Sequence, residues 1–477
     1  MGRDVLLLYM SPKNANYKTQ TNEGAVRYLI KEKETPDCIL ALCSETVRKK
    51  VMVEMPDGST CTTLEYFRDA LRRVGIPAER LVVIEVPDSM DDEKKQFQAI
   101  SQLLEKINEG DTLSIDLSGG MRDTAMLLVT AARCMRDLRG VQTRRVIYAE
   151  LRGEEPVAHD RTQLYDLFDF VTAMDAFFST GTAQKLKSYL WSEGEKDPVL
   201  HTLLTRINQF SEDLALCRVQ KLNDDLNQIA QALKETPKKS QNLTDLFFRL
   251  LKDRFNTEFA ELLSSGEKAL PALVSWCADH GMYQQALTLL CEQMPEYVCQ
   301  HIFVQPTERG WDYLAAQMQN RGKPWVYPLF HFHFCRLTLL QKEYPYTTDL
   351  RLTLSRDDAE GNMLFGVAND AEMHDYLDMA LASDQLVIDP AIRPQLERAA
   401  LLYQRVMQYR NQINHASAND LGLQSERVLP LDTESIKETL QKIAAYLHEI
   451  RPLKRNVPQG IEAIPVDAAI PAGTPAR

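Results

Sequence analysis

Ile115-Asp116-Leu117-Ser118-Gly119-Gly120-Met121-Arg122 passes from an apolar strand into a helix through two glycines. Glycine lets a backbone approach a ligand closely, and the helix that follows offers free N–H groups to an anion. Arg122 sets a cation in the first helical turn, where the helix dipole disfavours one, and so points to a partner anion. The apolar half of the passage, Leu113–Leu117, is one of a series. Val5–Met10 (VLLLYM), Cys38–Cys43 (CILALC) and Leu81–Val86 (LVVIEV) precede it, and Arg145–Leu151 (RVIYAEL) follows. Short continuous apolar runs are the mark of strands buried on both faces. Helical spacing fills the gaps, over about residues 22–33, 62–74, 91–108 and 122–138. Alternation of this kind predicts an α/β domain built on a doubly wound parallel sheet, over residues 1–160.

A second unusual loop ends the first strand: Ser11-Pro12-Lys13-Asn14-Ala15-Asn16-Tyr17-Lys18-Thr19. It carries hydroxyls, amides, two cations and an aromatic ring. In the common strand order of such sheets the first and fourth strands are neighbours, and ligands bind in the crevice at their carboxyl ends. Both polar loops fall there. The candidate ligand residues are therefore Ser11, Asn14, Asn16, Tyr17 and Lys18 on one side, and Ser118, Gly119, Gly120, Met121 and Arg122 on the other. Either loop alone could be an ordinary turn. The pattern is neither G-x-G-x-x-G nor G-x-x-x-x-G-K-[ST], so neither a dinucleotide cofactor nor ATP is implied.

Beyond about residue 163 the spacing turns helical. Tyr165–Phe178 (YDLFDFVTAMDAFF) is apolar at helical period until Ser179-Thr180-Gly181 stops it. Residues 161–385 read as a helical intermediate region, with Leu350–Leu354 and Met363–Val367 as a small β-hairpin insert. A helix opens at Asp389-Pro390, where Asp caps and Pro is tolerated. It fades after His415, and a last helix covers about 433–450. Residues 386–452 form a helical end domain whose start lies earlier, near 190. The tail, 453–477, is rich in Pro and Ala and reads as disordered. No apolar run reaches the roughly 18 residues that a membrane span requires. Nine cysteines lie scattered with no C-x-x-C pair, the usage of reduced thiols in a cytoplasm.

The formal net charge is -12, so any RNA site should be a local basic patch, with a short footprint or weak binding. The end of the Asp389 helix is such a place. Residues 391–416 hold Arg393, Arg398, Arg405 and Arg410 against Glu397 alone. Leu401, Leu402, Val406, Tyr409 and Ile413 supply its expected core face. Asn411 and His415, four apart, share a face, so the amide can orient the imidazole. Arg410 lies about 100° from Asn411 round the helix, and a second copy of the helix would complete a site with His415 more easily than one copy. RNA brings its own nucleophile, the 2′-hydroxyl. Cleavage then needs a proton carrier near neutral pH, which is histidine, and a fixed positive fork for the charge on phosphorus, which is arginine. No metal is demanded. By itself R-x-x-x-x-H is weak, since about half a match is expected by chance. The plain alternative is a solvated arginine and a helix-end histidine on the dipole.

Together the front sheet with Ser118-Gly119-Gly120-Met121-Arg122, the helix ending Phe170–Phe178, and Arg410-Asn411-x-x-x-His415 resemble the CARF–HEPN ribonucleases of type III CRISPR systems. CARF is the CRISPR-associated Rossmann-fold domain and HEPN a helical nuclease domain. The likeness spans most of the chain in order; residues 190–385 match nothing. It implies a homodimer whose paired front domains bind one cyclic oligoadenylate, with the tetramer favoured. It implies a composite site in which Arg410, Asn411 and His415 of two chains cut single-stranded RNA without a metal, leaving 2′,3′-cyclic phosphates. Such enzymes act allosterically in antiviral defence. Some relatives also cleave their own activator in the front domain, for which Ser11 and Ser118 are the candidates here. Two rival readings remain at this stage. One is a ligand-sensing regulator whose helical part binds a partner or nucleic acid without catalysis. The other is a nuclease that uses carboxylates and a metal.

Overall fold

The computed structural model describes residues 2–14, 16–54, 58–89, 92–120, 122–152, 155–192, 197–235, 243–264, 269–309, 356–357, 363–364, 370–382, 384, 386–414 and 429–463. The chain divides into two compact units, Met1–Asp169 and Phe170–Arg477.

In the first unit the strands are β1 (Asp4–Tyr9), β2 (Cys38–Cys43), β3 (Met52–Glu54), β4 (Thr60–Thr62), β5 (Leu81–Glu85), β6 (Thr112–Asp116), β7 (Gln142–Arg152) and β8 (Glu155–Asp160). The helices are α1 (Glu23–Lys31), α2 (Thr63–Arg73), α3 (Glu93–Lys106) and α4 (Arg122–Arg139). Six strands make one sheet in the order β5-β2-β1-β6-β7-β8. The chain moves outward from β1 through β2 to β5, then returns to place β6 on the other side of β1. Leu8 pairs with Asp116 across that junction, in parallel register. All five apolar runs are strands, and the four helical segments are helices.

Alternate residues of these strands feed opposite faces. Leu6, Leu8, Ile39 and Ala41 pack with Val26 and Leu29 of α1 and Phe67 of α2. Val5, Leu7, Leu40 and Ile115 pack with Leu103 of α3 and Leu128 and Ala131 of α4. Each such fully buried Leu, Ile or Val contributes about 1.5–3 kcal/mol, which explains why these runs carry almost no polar residue.

The sheet is not wholly parallel. β8 pairs with β7 antiparallel, Ala149 opposite Ala158. Its sequence, Glu-Pro-Val-Ala-His-Asp, lies at an edge and is mostly exposed, so it lacks the apolar run that betrays the other strands. Likewise the β3–β4 hairpin and a π-helical turn, Thr46–Lys50, fall where the sequence gives no periodic signal.

In the second unit the helices are α5 (Thr162–Thr180, which begins in the first unit), α6 (Gln184–Ser192), α7 (Pro198–Ala215), α8 (Val219–Ala232), α9 (Leu243–Glu258), α10 (Ala260–Ser264), α11 (Leu270–Asp279), α12 (Tyr283–His301), α13 (Asp370–Ala382), α14 (Arg393–Asn414) and α15 (Thr433–Ile450). Gly181 ends α5 at φ +70, with its N–H donated to the Phe177 carbonyl. Aromatic rings make the core. Phe170 stacks on Phe247 at 3.7 Å between centroids, and Phe177, Phe178, Phe255, Phe259 and Trp276 form a continuous cluster. α12 packs on α14 and α11 on α15. Tyr403 Oη donates to the Cys291 carbonyl at 3.1 Å, and Tyr446 Oη to the Gln395 carbonyl at 2.9 Å. The intermediate and end segments read from the sequence thus share one core.

Short strands β9 (Val304–Pro306), β10 (Arg356–Asp357), β11 (Met363–Leu364) and β12 (Leu386–Ile388) form two antiparallel pairs, β9 with β12 and β10 with β11. The second arm of the expected hairpin is β11; the first, Leu350–Leu354, lies outside the described residues. Asp389 caps a 3-10 turn, Pro390–Ile392, through the Ala391 N–H at 2.9 Å, and α14 follows it. Of the tail, residues 453–463 are described. Arg455 lies over the Phe303 ring at 5.4 Å and the Glu462 carbonyl accepts from Gln305 Nε2 at 3.0 Å, so residues 453–463 run back along β9.

Candidate functional site

The two polar loops meet. Ser11 follows β1, and its Oγ accepts the Gly120 N–H at 3.2 Å. Close approach explains the glycines. A Cβ at Gly119 would overlap the Tyr9 carbonyl oxygen, and Gly120 sits at φ +82, where a side chain is strained and would overlap Thr124 Oγ1.

Beneath the loops lies a buried polar network. Asn22 is fully buried at the N-cap of α1, yet its side chain makes no cap bond. Its Oδ1 accepts from Ser11 N at 3.0 Å and Gln20 Nε2 at 2.6 Å. Its Nδ2 donates to the Tyr9 carbonyl at 3.1 Å and to Asp116 Oδ2 at 2.6 Å. Asp116 is fully buried as well, and Oδ1 accepts both the N–H and the hydroxyl of Ser118. Burial pushes the Asp116 carboxyl up to about 6, although the donors from Ser118 and Asn22 pull the other way.

This network changes the reading of Ser118. Its hydroxyl donates to Asp116 and accepts the Ala149 N–H at 2.6 Å, so both its bonds tie β6 to β7. Neither the Ser118 nor the Gly120 N–H is open to an anion, since Asp116 and Ser11 take them. Ser118 thus ties the β6–α4 turn to β7.

The β1–α1 loop is held in place by its own bonds and by α2. Lys13 N donates to Thr63 Oγ1 at 3.3 Å, and Tyr66 Oη donates to the Lys18 carbonyl at 2.7 Å. Lys13 Nζ donates to the Tyr17 carbonyl and, at 3.2 Å, to that of Asn14; burial lowers its pKa. Asn14 Oδ1 accepts the Asn16 N–H at 2.9 Å. Asn14, Asn16 and Lys18 are exposed and Tyr17 half-buried, so the polar tip of the loop faces outward. Met121 lies outside the described residues, as does the side chain of Arg122.

Sequence reading missed Gln20, Asn22, Asp116, Thr63 and Tyr66. Only Asp116 gave a signal, a carboxylate inside the apolar run Leu113–Leu117.

On α14, Arg410 is half-buried in the last turns. His415 lies outside the described residues, as does the side chain of Asn411. The helix buries Leu396, Ala399, Tyr403, Val406, Leu402 and Tyr409, whereas the expected core residues Leu401 and Ile413 are only half-buried. The expected basic patch is weaker than its count. Arg393 bonds Asp378 at 2.6 Å and Glu397 at 2.8 Å, and Arg398 bonds Glu449 at 2.7 Å. Two of the four arginines counted are thus paired with carboxylates. Among the described residues no group of three or more His, Cys, Asp or Glu side chains is placed to hold a metal ion. No helix among them is long and apolar enough to cross a membrane.

Fold and site define a class of protein: a six-stranded, mostly parallel sheet whose β1–α1 and β6–α4 loops meet through a buried polar network, continued by a mostly helical unit. No model of a known family matches the chain, and no curated protein matches it.

Proposed function

We propose that the crevice binds a cyclic oligoadenylate, the tetramer favoured, and that this ligand activates an RNA-cutting site at the end of α14. The observation that carries the reading is the bond of Ser11 Oγ to the Gly120 N–H at 3.2 Å, which joins two polar loops at the carboxyl ends of β1 and β6. That junction is where ligands of doubly wound sheets bind. Asn14, Asn16, Tyr17 and Lys18 surround the bases, while Gly119, Gly120, Met121 and Arg122 line the phosphate side. Ser11 bridges the two.

In the helical unit, Arg410 stabilises charge on phosphorus. His415, oriented by Asn411, moves the proton of the 2′-hydroxyl. Two copies of the chain complete the site, in keeping with the splay of Arg410 and His415 on one helix. The products carry 2′,3′-cyclic phosphates. The chain belongs, on this reading, with the CARF–HEPN ribonucleases of antiviral type III CRISPR systems and acts in the cytoplasm.

A second reading has its own support. Pairing of Arg393 and Arg398 with carboxylates shrinks the basic patch, which suits a regulator that binds a partner without cutting. One experiment separates these. Single-stranded RNA is incubated with the full chain, with and without cyclic tri-, tetra- and hexa-adenylate, in buffer containing EDTA. Cleavage that depends on one ring and survives EDTA is expected. Cleavage independent of every ring would remove the sensor, loss in EDTA would remove the His/Arg site, and binding without cleavage would favour the regulator.

A further inference from the structure

Asn22 stands where asparagine normally serves a helix, at the N-cap, yet its side chain caps nothing. All of its bonding capacity goes instead to distant groups. An asparagine side chain has two acceptor lone pairs and two N–H donors. Here the acceptors take Ser11 N and Gln20 Nε2, and the donors go to the Tyr9 carbonyl and the Asp116 carboxylate. The residue is fully buried, so each bond lost leaves a buried polar group without water to replace it. Through Ser11 and Asp116 this one carboxamide touches both halves of the crevice. Ser11 receives the Gly120 N–H, and Asp116 holds the N–H and hydroxyl of Ser118.

We propose that Asn22 is the positioning residue of the crevice: it pins the β1–α1 loop to the β6–α4 turn, and ligand affinity depends on its bond to the ionised Asp116 carboxylate. The inference rests on the reading of the crevice as the activator site.

The groups around Asp116 are all donors, which suits a carboxylate and not a carboxylic acid. Protonation converts the Asn22–Asp116 contact from a charge-assisted bond to a neutral one of about half the strength. It also leaves the Ser118 hydroxyl and the new acid proton competing for one acceptor position. The described charged groups at the near ends of the surrounding elements include Lys13 and Lys18 of the β1–α1 loop, Glu23 and Arg27 of α1, Asp123 of α4 and Glu150 of β7. Lys13 bonds Tyr17 and Asn14, Glu23 bonds Arg27 and Gln20, and Glu150 bonds His159. Asp116 itself bonds Ser118 and Asn22, both neutral. Its own proton therefore governs the pin.

The test measures cyclic tetra-adenylate binding to the full chain from acid to neutral pH. Wild type loses affinity as pH falls below about 6, by up to about tenfold per pH unit. Asp116→Asn turns an N–H toward either the Asn22 N–H or the Ser118 donors. It binds at least tenfold more weakly at neutral pH, with the pH dependence gone. Asn22→Ala behaves alike, and Asn22→Asp is worse because two carboxylates then face each other. The double variant Asn22→Asp with Asp116→Asn, which restores one donor–acceptor pair, recovers part of the loss. Wild-type affinity in Asp116→Asn, or tighter wild-type binding in acid, overturns the proposal.

Amide hydrogen exchange in the ligand-free chain keeps the pin testable apart from the ligand. If no cyclic oligoadenylate binds at any pH, the activator reading fails. The pin then stands only if the Ser11 and Gly120 amides, corrected for intrinsic rates, exchange faster below pH about 6 and in Asp116→Asn. Unchanged protection of both amides overturns it.

Discussion

Each unit buries a carboxylate with a raised pKa, and the two are built in opposite ways. Asp116 in the sheet unit is surrounded by neutral donors from Ser118 and Asn22, and burial alone lifts it to about 6. Asp225 on α8 is lifted to about 7 by burial and then by the neighbouring carboxylate of Asp213 on α7. Asp213 is the ionised member, held below the usual range by Gln209 at 2.8 Å and Arg218 at 3.0 Å. Asp225 in turn shares a side-chain hydrogen bond with Asp213. The first arrangement suits a carboxylate kept ready to ionise and hold donors. The second keeps one proton between two acids at neutral pH, since like charges in a dry site cannot both ionise. A polar group serves the crevice in one unit; in the other it is an exception beside an aromatic core.

The largest effects should show that the two regions do different work. Arg410→Ala or His415→Ala should lower RNA cutting by about 10²–10⁴-fold in a gel assay, with cyclic tetra-adenylate affinity unchanged. A wild-type rate in His415→Ala would sink the assignment of the cutting site. Phe259→Ala opens the aromatic cluster among Phe177, Phe178, Phe255 and Trp276, and should destabilise the helical unit by about 3–5 kcal/mol. Denaturant unfolding followed by tryptophan fluorescence reads this directly. An unchanged midpoint would mean that the cluster contributes nothing to stability.

What the sequence disclosed follows the same division. The five apolar strands and the helices between them were legible because burial on both faces demands unbroken Val, Ile and Leu. β8 was not, because an exposed edge strand makes no such demand. The crevice was legible as two loops, but not its pin: Asn22 and Asp116 are 94 residues apart, and no local pattern marks their bond. For the same reason Ser118 looked open to a ligand, when its hydroxyl belongs to Asp116 and Ala149. The charge of α14 misled likewise. Its arginines were countable, but Asp378 and Glu449, which neutralise Arg393 and Arg398, come from α13 and α15.

Next in size comes the acid pair. The raised Asp225 pKa means that the folded chain keeps a proton the unfolded chain has lost, between an ordinary aspartate value near 4 and about 7. More protons bound in the folded state means that stability falls as pH rises through that window, and levels off above it. Full expression of the shift is on the order of 4 kcal/mol. Asp116 adds a fall of the same sign that ends near 6. Thermal unfolding of Asp225→Asn should therefore lose the slope between about 6 and 7 and keep, below 6, only the part that Asp116 contributes. An unaltered slope there would show that Asp213 and Asp225 do not share a proton.

The smallest effect separates the two neutralised arginines of α14. Arg398 and Glu449 keep half or more of their side-chain surface in water, at 50% and 56%. Water and salt screen such a pair, and holding two long side chains together costs entropy, so its net value is about 0–1 kcal/mol. The contact of Arg398 with the Tyr446 ring at 5.3 Å adds little at this exposure. Arg393 keeps only 22% of its surface and reaches Asp378, Glu397 and the His374 carbonyl together. Arg398→Ala should thus change stability by less than about 1 kcal/mol, and high salt should shrink even that. Arg393→Ala should cost about 1–3 kcal/mol, because it leaves partly buried Glu397 with His374 as its remaining partner among the described residues, at 2.9 Å. Equal costs for the two substitutions would mean that α14 is held by charge alone, and the contrast between its buried and exposed pairs would fall.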